Sequence, residues 1–180
     1  MEEYSVLQTV YKNDNPEYFR LSLISMLEQT VKPNEVVIVK DGPIPQSLQE
    51  VIDELDNENP NIIVQVQLER NLGLGLALNE GLNICKNEFV ARMDSDDFSL
   101  PERCEKELEM FSRDPSLDIV GCPVKEFIDE LDNIVGVRDV PLDNESIHKY
   151  AKRRDPFNHP TVMFRKSKVM KFGPYRDYRK

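Results

Sequence analysis

Three carboxylates fall within four residues at Asp94-Ser95-Asp96-Asp97, directly after the run Arg92-Met93. Carboxylate oxygen is the preferred ligand of hard divalent cations, and magnesium or manganese held there can bridge to a diphosphate. Two carboxylates about 5 Å apart repel by about 3 kcal/mol at an effective dielectric of about 20, and by under about 1 kcal/mol in water, so a cation is favoured only where water is largely excluded. A purely local reading competes: Asp residues cap helices and build turns, and Asp97 or Ser99 stands where it could cap a helix opening near Pro101. Asp41 adds a carboxylate before Gly42-Pro43, a sequence that fits a tight turn exposing the side chain, or an ordinary turn aspartate. Thr9 and Tyr11, two positions apart, would point the same way off a strand to hydrogen-bond and stack on a nucleobase, unless they simply pack. In Arg70-Asn71-Leu72-Gly73-Leu74-Gly75 the glycines permit close backbone approach before a helix start that favours anions, and Arg70 offers a planar fork to a diphosphate. The dinucleotide fingerprint fails, because Leu78 stands where its third glycine belongs and the loop follows a third strand, not a first. A nicotinamide-dependent oxidoreductase is therefore disfavoured.

These residues need elements to position them, and the hydrophobic pattern supplies a set. Ser5 to Val10 reads as a strand, and Pro16 to about Thr30 as an amphipathic helix with proline in its first turn. The consecutive Val36-Val37-Ile38-Val39 within Glu35 to Lys40 predicts a strand covered on both faces, and Leu48, Val51, Ile52 and Leu55 recur at helical spacing. Ile62 to Leu68 gives a third strand, Leu74, Ala77, Leu78 and Leu82 another helical face, and Glu88 to Met93 a fourth strand. This βαβαβαβ alternation predicts an α/β fold: a mostly parallel sheet, helices on both faces, and ligand sites beyond the strands' carboxyl ends. The residues just after the four strands are Tyr11-Lys12, Asp41-Gly42, Glu69-Arg70-Asn71 and Asp94 to Asp97, so the ionisable groups gather at that edge. Further on, Cys104, Leu108 and Phe111 mark a helix and Asp118 to Cys122 a strand. Val124–Ile128 and Ile134–Arg138 suggest a small antiparallel hairpin around Asp132-Asn133, before a short helix near Asn144–Ala151 and a strand near Thr161–Phe164. Lys152-Arg153-Arg154 reads as a solvated helix end in preference to a phosphate contact.

The 180 residues predict about one domain, and 33 acidic against 23 basic side chains give a formal charge of -10. That balance opposes binding to nucleic-acid phosphates. No apolar run approaches the roughly 20 residues that cross a bilayer, and Met1-Glu2-Glu3 lacks a signal peptide's opening, so a cytoplasmic location is expected. Cys85, Cys104 and Cys122 form no paired metal spacing and no disulfide framework, and are expected to be buried thiols. His148 and His159 are too few for a multi-histidine metal site.

Four motifs in order carry a resemblance: Ser5-Val6-Leu7-Gln8-Thr9-Val10-Tyr11; Val37-Ile38-Val39-Lys40-Asp41-Gly42; Asn71-Leu72-Gly73 with Ala77, Asn79 and Gly81; and Met93-Asp94-Ser95-Asp96-Asp97. Together they resemble the motifs of family 2 glycosyltransferases over about residues 4–165, with Asn158-His159-Pro160-Thr161-Val162-Met163-Phe164 similar to a segment of the bacterial capsule and exopolysaccharide enzymes. The resemblance implies a GT-A fold, Rossmann-like, and an inverting hexosyl transfer. The donor would be a nucleotide-sugar, expected to be UDP-linked, the cation Mn2+ or Mg2+, and the acceptor a saccharide or lipid-linked saccharide. It assigns Thr9, Tyr11, Asp41, Arg70, Asn71, Gly73, Asp94 and Ser95 to the nucleotide-sugar and the metal to Asp94 and Asp96 of a DxD motif, with Asp96 the direct contact. Asp97 and His159 are then candidate donor or acceptor contacts. Lys40 departs from the paired acids common before the glycine. The family's catalytic base follows a segment like Gly173-Pro174-Tyr175-Arg176-Asp177. Here Asp177 is the last carboxylate and would ordinarily be a loop residue, and Tyr178-Arg179-Lys180 forms no closing strand, so a single domain over 1–180, truncated at its C-terminus with the base beyond the chain, is expected. Peripheral association with the inner membrane face is compatible with this reading. Two alternatives stay open: a donor-binding fragment that does not turn over, and a receiver-like magnesium-binding module. The module is disfavoured because its acids would follow the first strand and about 60 residues would be left over.

Overall fold

The computed structural model describes residues 2–176. Its centre is β2 (Glu35–Lys40), whose valines and isoleucine are fully buried because both faces of the strand are covered. On one side β2 pairs in parallel with β1 (Tyr4–Val10), and on the other with β3 (Ile63–Gln67). β1 in turn pairs in parallel with β4 (Phe89–Met93). The helices α1 (Pro16–Leu27), α2 (Gln46–Glu58) and α3 (Leu74–Ile84) make the crossovers, and α4 (Arg103–Arg113) follows β4. One core layer joins Phe19, Leu23, Leu48, Ile52, Leu108 and Phe111 to one face of the sheet. The other packs Ala77, Leu78 and Leu82 of α3 against Leu7, Val37 and Val39. Gly81 lets α3 sit this close, since a Cβ there would lie 2.4 Å from Leu7 Cδ1 and 2.6 Å from Val39 Cγ2.

The expected mostly parallel α/β sheet is present, and its far edge adds detail. The six-stranded order is β3-β2-β1-β4-β8-β5, where β5 is Ile119–Val120 and β8 is Met163–Arg165. β8 runs antiparallel between β4 and β5, so a strand distant in sequence shields the edge of β4. A short 3-10 helix, His159–Thr161, and α6 (Lys166–Phe172) flank β8; neither is evident in the hydrophobic pattern. The predicted first helix stops at Leu27 instead of Thr30, because the Thr30 N–H donates to Pro101 O at 2.8 Å instead of continuing the helix. The hairpin, β6 (Val124–Phe127) with β7 (Ile134–Arg138), forms a separate two-stranded sheet. Its connection spans 128–133 with Asp129 at φ 63°, longer than a turn on Asp132-Asn133. α5 (Asn144–Tyr150) precedes the exposed Lys152-Arg153-Arg154 run, as expected of a solvated helix end.

Candidate functional site

The carboxyl ends of β2, β1 and β4 lie side by side. Val10 pairs with Lys40 and Gln8 with Met93, so Asp41 and Asp94 each stand one residue past the pairing on either side of β1. Two strand spacings and a two-residue stagger along β1 put their backbones roughly 12 Å apart. A buried polar network fixes the acidic loop from below. The Asp94 carbonyl accepts from Ser22 Oγ at 2.6 Å and from Gln8 Nε2 at 3.0 Å, and Gln8 Nε2 also donates to Ser22 Oγ. At the loop's other end the Ser99 N–H donates to Ser25 Oγ, while Gln29 donates to Ser99 Oγ and Leu100 O and accepts from Cys104 N. Neither Asp97 nor Ser99 caps the following helix: Glu102 occupies the cap position without a side-chain bond, because Ser99 is already engaged with α1.

Charge is concentrated above this support. Asp94 is one-third exposed and ion-paired to the fully buried Arg92, Asp96 is exposed, and Ser95 and Asp97 are half-buried. Burial first, then the charges of Asp94 and Asp96, pushes the Asp97 carboxyl up to about 6. A fourth acid joins them. The Asp14 carboxylate accepts from Tyr11 N at 3.1 Å, so the turn after β1 folds it back, and burial, with Asp96 and Asp94 adding to it, raises its carboxyl. Among the described residues no three His, Cys, Asp or Glu side chains are arranged to enclose a metal ion. The oxygen donor set nevertheless fits a hard divalent cation, which would relieve the repulsion seen at Asp97.

Asp41 is used differently from a free nucleoside contact. It is buried, and its two oxygens accept from Leu72 N at 2.6 Å and Gly73 N at 3.0 Å, while Asn71 Nδ2 donates to its carbonyl at 3.3 Å. Asp41 thus holds the Arg70–Gly73 loop against the end of β2. Gly42 permits the approach, since at φ 87° a Cβ there would fall 2.7 Å from Asn71 N. Arg70 and Tyr11 are exposed beside it and Thr9 is half-buried. Lys40 turns away toward α2 and β3, donating to Gln49 and Gln65. A shallow cavity of about 360 Å³, lined by Pro43, Gln46, Gln67 and Glu69 among others, opens on that β2–β3 side and not over the acids.

His159 sits at the opposite flank. Its Nε2 lies 3.1 Å from Tyr175 Oη, and the Tyr175 backbone is bonded twice by the Asn79 side chain, at 2.8 and 2.7 Å. Burial, assisted by Arg92, lowers the imidazole to about 4, and burial pushes the Tyr175 phenol up to about 12. Asp177 lies outside the described residues. Cys85 and Cys104 are buried thiols as expected, whereas Cys122 is only half-buried, at the point where the chain leaves the sheet toward the hairpin.

Comparison with known proteins now gives this edge a context. The model of Glycosyl transferase family 2 matches residues 5–179. The chain belongs to glycosyltransferase family 2. It is 41% identical over 175 residues to the amylovoran biosynthesis glycosyltransferase AmsE of Erwinia amylovora, covering 97% of this chain and 64% of that protein. With the UDP-Gal:alpha-D-GlcNAc-diphosphoundecaprenol beta-1,3-galactosyltransferase of Escherichia coli it shares 39% identity over 173 residues, covering 96% and 62%. The chain therefore spans just under two thirds of the length of either relative. Among solved structures, S. aureus TarS 1-349 in complex with UDP superposes with a TM-score of 0.71 at 25% identity, covering 97% of this chain and 50% of that one. The family 2 chain thus has the GT-A fold.

Proposed function

We propose that this chain carries the donor site of an inverting hexosyltransferase that moves a sugar from a UDP-linked donor to a hydroxyl of a saccharide or lipid-linked saccharide. The observation that carries this reading is that Asp41 and Asp94 follow β2 and β4 on either side of β1, with Asp96 two residues beyond Asp94. Thr9 and Tyr11 border the nucleoside position, and Asp41 acts there by holding the Arg70–Gly73 loop with Asn71. Arg70 offers its fork to the diphosphate. Asp94 and Asp96 would hold Mn2+ or Mg2+ beside Ser95 and Asp97. Such a cation, when bound, stabilises the charge on the departing nucleoside diphosphate as a Lewis acid. Inversion by single displacement needs one carboxylate to take the acceptor proton from the face opposite the leaving group. Within this sequence Asp177 is the one carboxylate that follows the Gly173-Pro174-Tyr175 segment. His159, neutral at physiological pH and engaged with Tyr175, shapes the acceptor side and does not act as an acid.

The Escherichia coli relative's name, a UDP-Gal:alpha-D-GlcNAc-diphosphoundecaprenol galactosyltransferase, supports a lipid-linked acceptor and a UDP-galactose-type donor, and the Erwinia relative's name supports a biosynthetic glycosyltransferase. No described helix is long and apolar enough to cross a membrane. The span of under two thirds of these relatives favours one second reading, donor binding without turnover. Calorimetric titration with UDP-, GDP- and TDP-sugars, with and without manganese, tests the proposal. Manganese-dependent binding of a UDP-sugar is expected, abolished in Asp96→Ala and unchanged in Asp129→Ala at the hairpin tip. Equal behaviour of the two variants contradicts it. Release of UDP on adding acceptor separates the enzyme from the non-turning fragment.

A further inference from the structure

We propose that Arg92 is the positioning residue of the acidic loop, aiming the Asp94 carboxylate at the donor at a cost to the stability of the fold. The inference rests on the donor-site reading above. Arg92 is fully buried, yet only its Nη2 has a partner, Asp94 Oδ1; Nε and Nη1 find none among the described residues. Buried charges with unmet donors are unfavourable, and apolar side chains of similar volume usually serve a core as well or better. The surroundings are suited to such a replacement. Arg92 follows Val90 on the α3 face of β4, where Val90, Leu7, Phe164 and the ring of Tyr175 build an apolar layer. Since Asp94 is one-third exposed, water would solvate its carboxylate if Arg92 were removed.

What Arg92 supplies is orientation. The Asp94 carbonyl is fixed by Ser22 and Gln8, and Arg92 fixes one oxygen of the one-third exposed side chain, so the other oxygen is held in place without a hydrogen-bond partner among the described residues. A rigid planar fork does this better than a flexible ammonium. His159 and Tyr175, joined Nε2 to Oη at 3.1 Å, lie near enough for the Arg92 charge to lower the imidazole.

The test measures thermal unfolding and affinity for UDP with manganese in the wild type, R92M, R92K, D94N and the double variant R92M/D94N. Loss of one charge-assisted hydrogen bond corresponds to about a tenfold change in affinity. R92M is expected to melt at or above the wild-type temperature while binding UDP–manganese about tenfold more weakly. R92K should recover part of the affinity, and R92M/D94N should bind no more weakly than D94N, because Arg92 acts through Asp94. An R92M protein that fails to fold or melts well below wild type overturns the proposal, as do wild-type affinity in R92M and losses that multiply in the double variant. If the wild type itself binds no UDP, the donor-site reading fails; if the wild type binds and R92M matches it, only the role of Arg92 does.

Discussion

Asp41→Asn puts a number on how the nucleoside edge is held. In the wild type the buried carboxylate accepts two backbone N–H bonds, from Leu72 at 2.6 Å and Gly73 at 3.0 Å. Hydrogen bonds to a charged acceptor contribute about 1.5–3 kcal/mol each, and a buried donor left without a partner costs about 1–3 kcal/mol. Asparagine keeps one acceptor oxygen and turns an NH2 group toward the other N–H, so one bond is lost and one donor is stranded. The net loss should be about 3 kcal/mol, a large share of the roughly 5–15 kcal/mol that holds most domains folded. Equilibrium unfolding in urea reads the loss, and amide hydrogen exchange locates it: Leu72 and Gly73 should exchange faster while the β2 amides stay protected. Affinity for UDP should fall with it, since the loop bearing Arg70 is no longer pinned. Stability within about 0.5 kcal/mol of wild type, with unchanged exchange at both amides, would refute the reasoning.

Two further outcomes follow from packing and titration. Gly81→Ala places a methyl against Leu7 and Val39, and overpacking of about 1–3 kcal/mol should exceed the gain of up to about 1 kcal/mol in helix propensity; an unchanged or higher denaturation midpoint contradicts the tight contact of α3 with the sheet. His159 is lowered to about 4 by burial and by Arg92. It therefore contributes stability that is present above about pH 6.5 and is lost as pH falls through 4, on the order of 3 kcal/mol. Relative to His159→Gln, the wild type should lose that amount between those pH values, and parallel stability curves would show that the imidazole is not buried as described.

The alternation of strands and helices was legible because local rules decide it: Val36 to Val39 can only be a strand covered twice, and Leu48, Val51, Ile52 and Leu55 can only share one helical face. The acids after β4 were legible for the same reason, as were Asp41 and the loop at Arg70–Gly73. Strand order was not, since nothing near Met163 indicates that it will pair with Ala91, 72 positions earlier. The supports of the site were also hidden. Gln8, Ser22 and Gln29 look like breaks in apolar runs, and their burial depends on partners up to 86 residues away. Asp14 reads only as part of the turn before Asn15 and Pro16. Arginine is so seldom buried that Arg92, next to the last residue of β4, gave no hint of its position. The two oxygens of Asp41 depend on backbone 31 and 32 residues later, which is why the sequence suggests an exposed turn where the structure has a buried brace.

The most direct measurement is paramagnetic broadening of amide resonances by manganese in the presence of UDP. If Asp94 and Asp96 hold the cation beside the end of β1, the amides of Tyr11, Asp41 and Asp94 to Asp97 broaden first and those of Asp129 to Asp132 at the hairpin tip keep their linewidths. Broadening centred on the hairpin, or spread evenly over the acidic surface, would contradict a donor site at the carboxyl edge of the sheet.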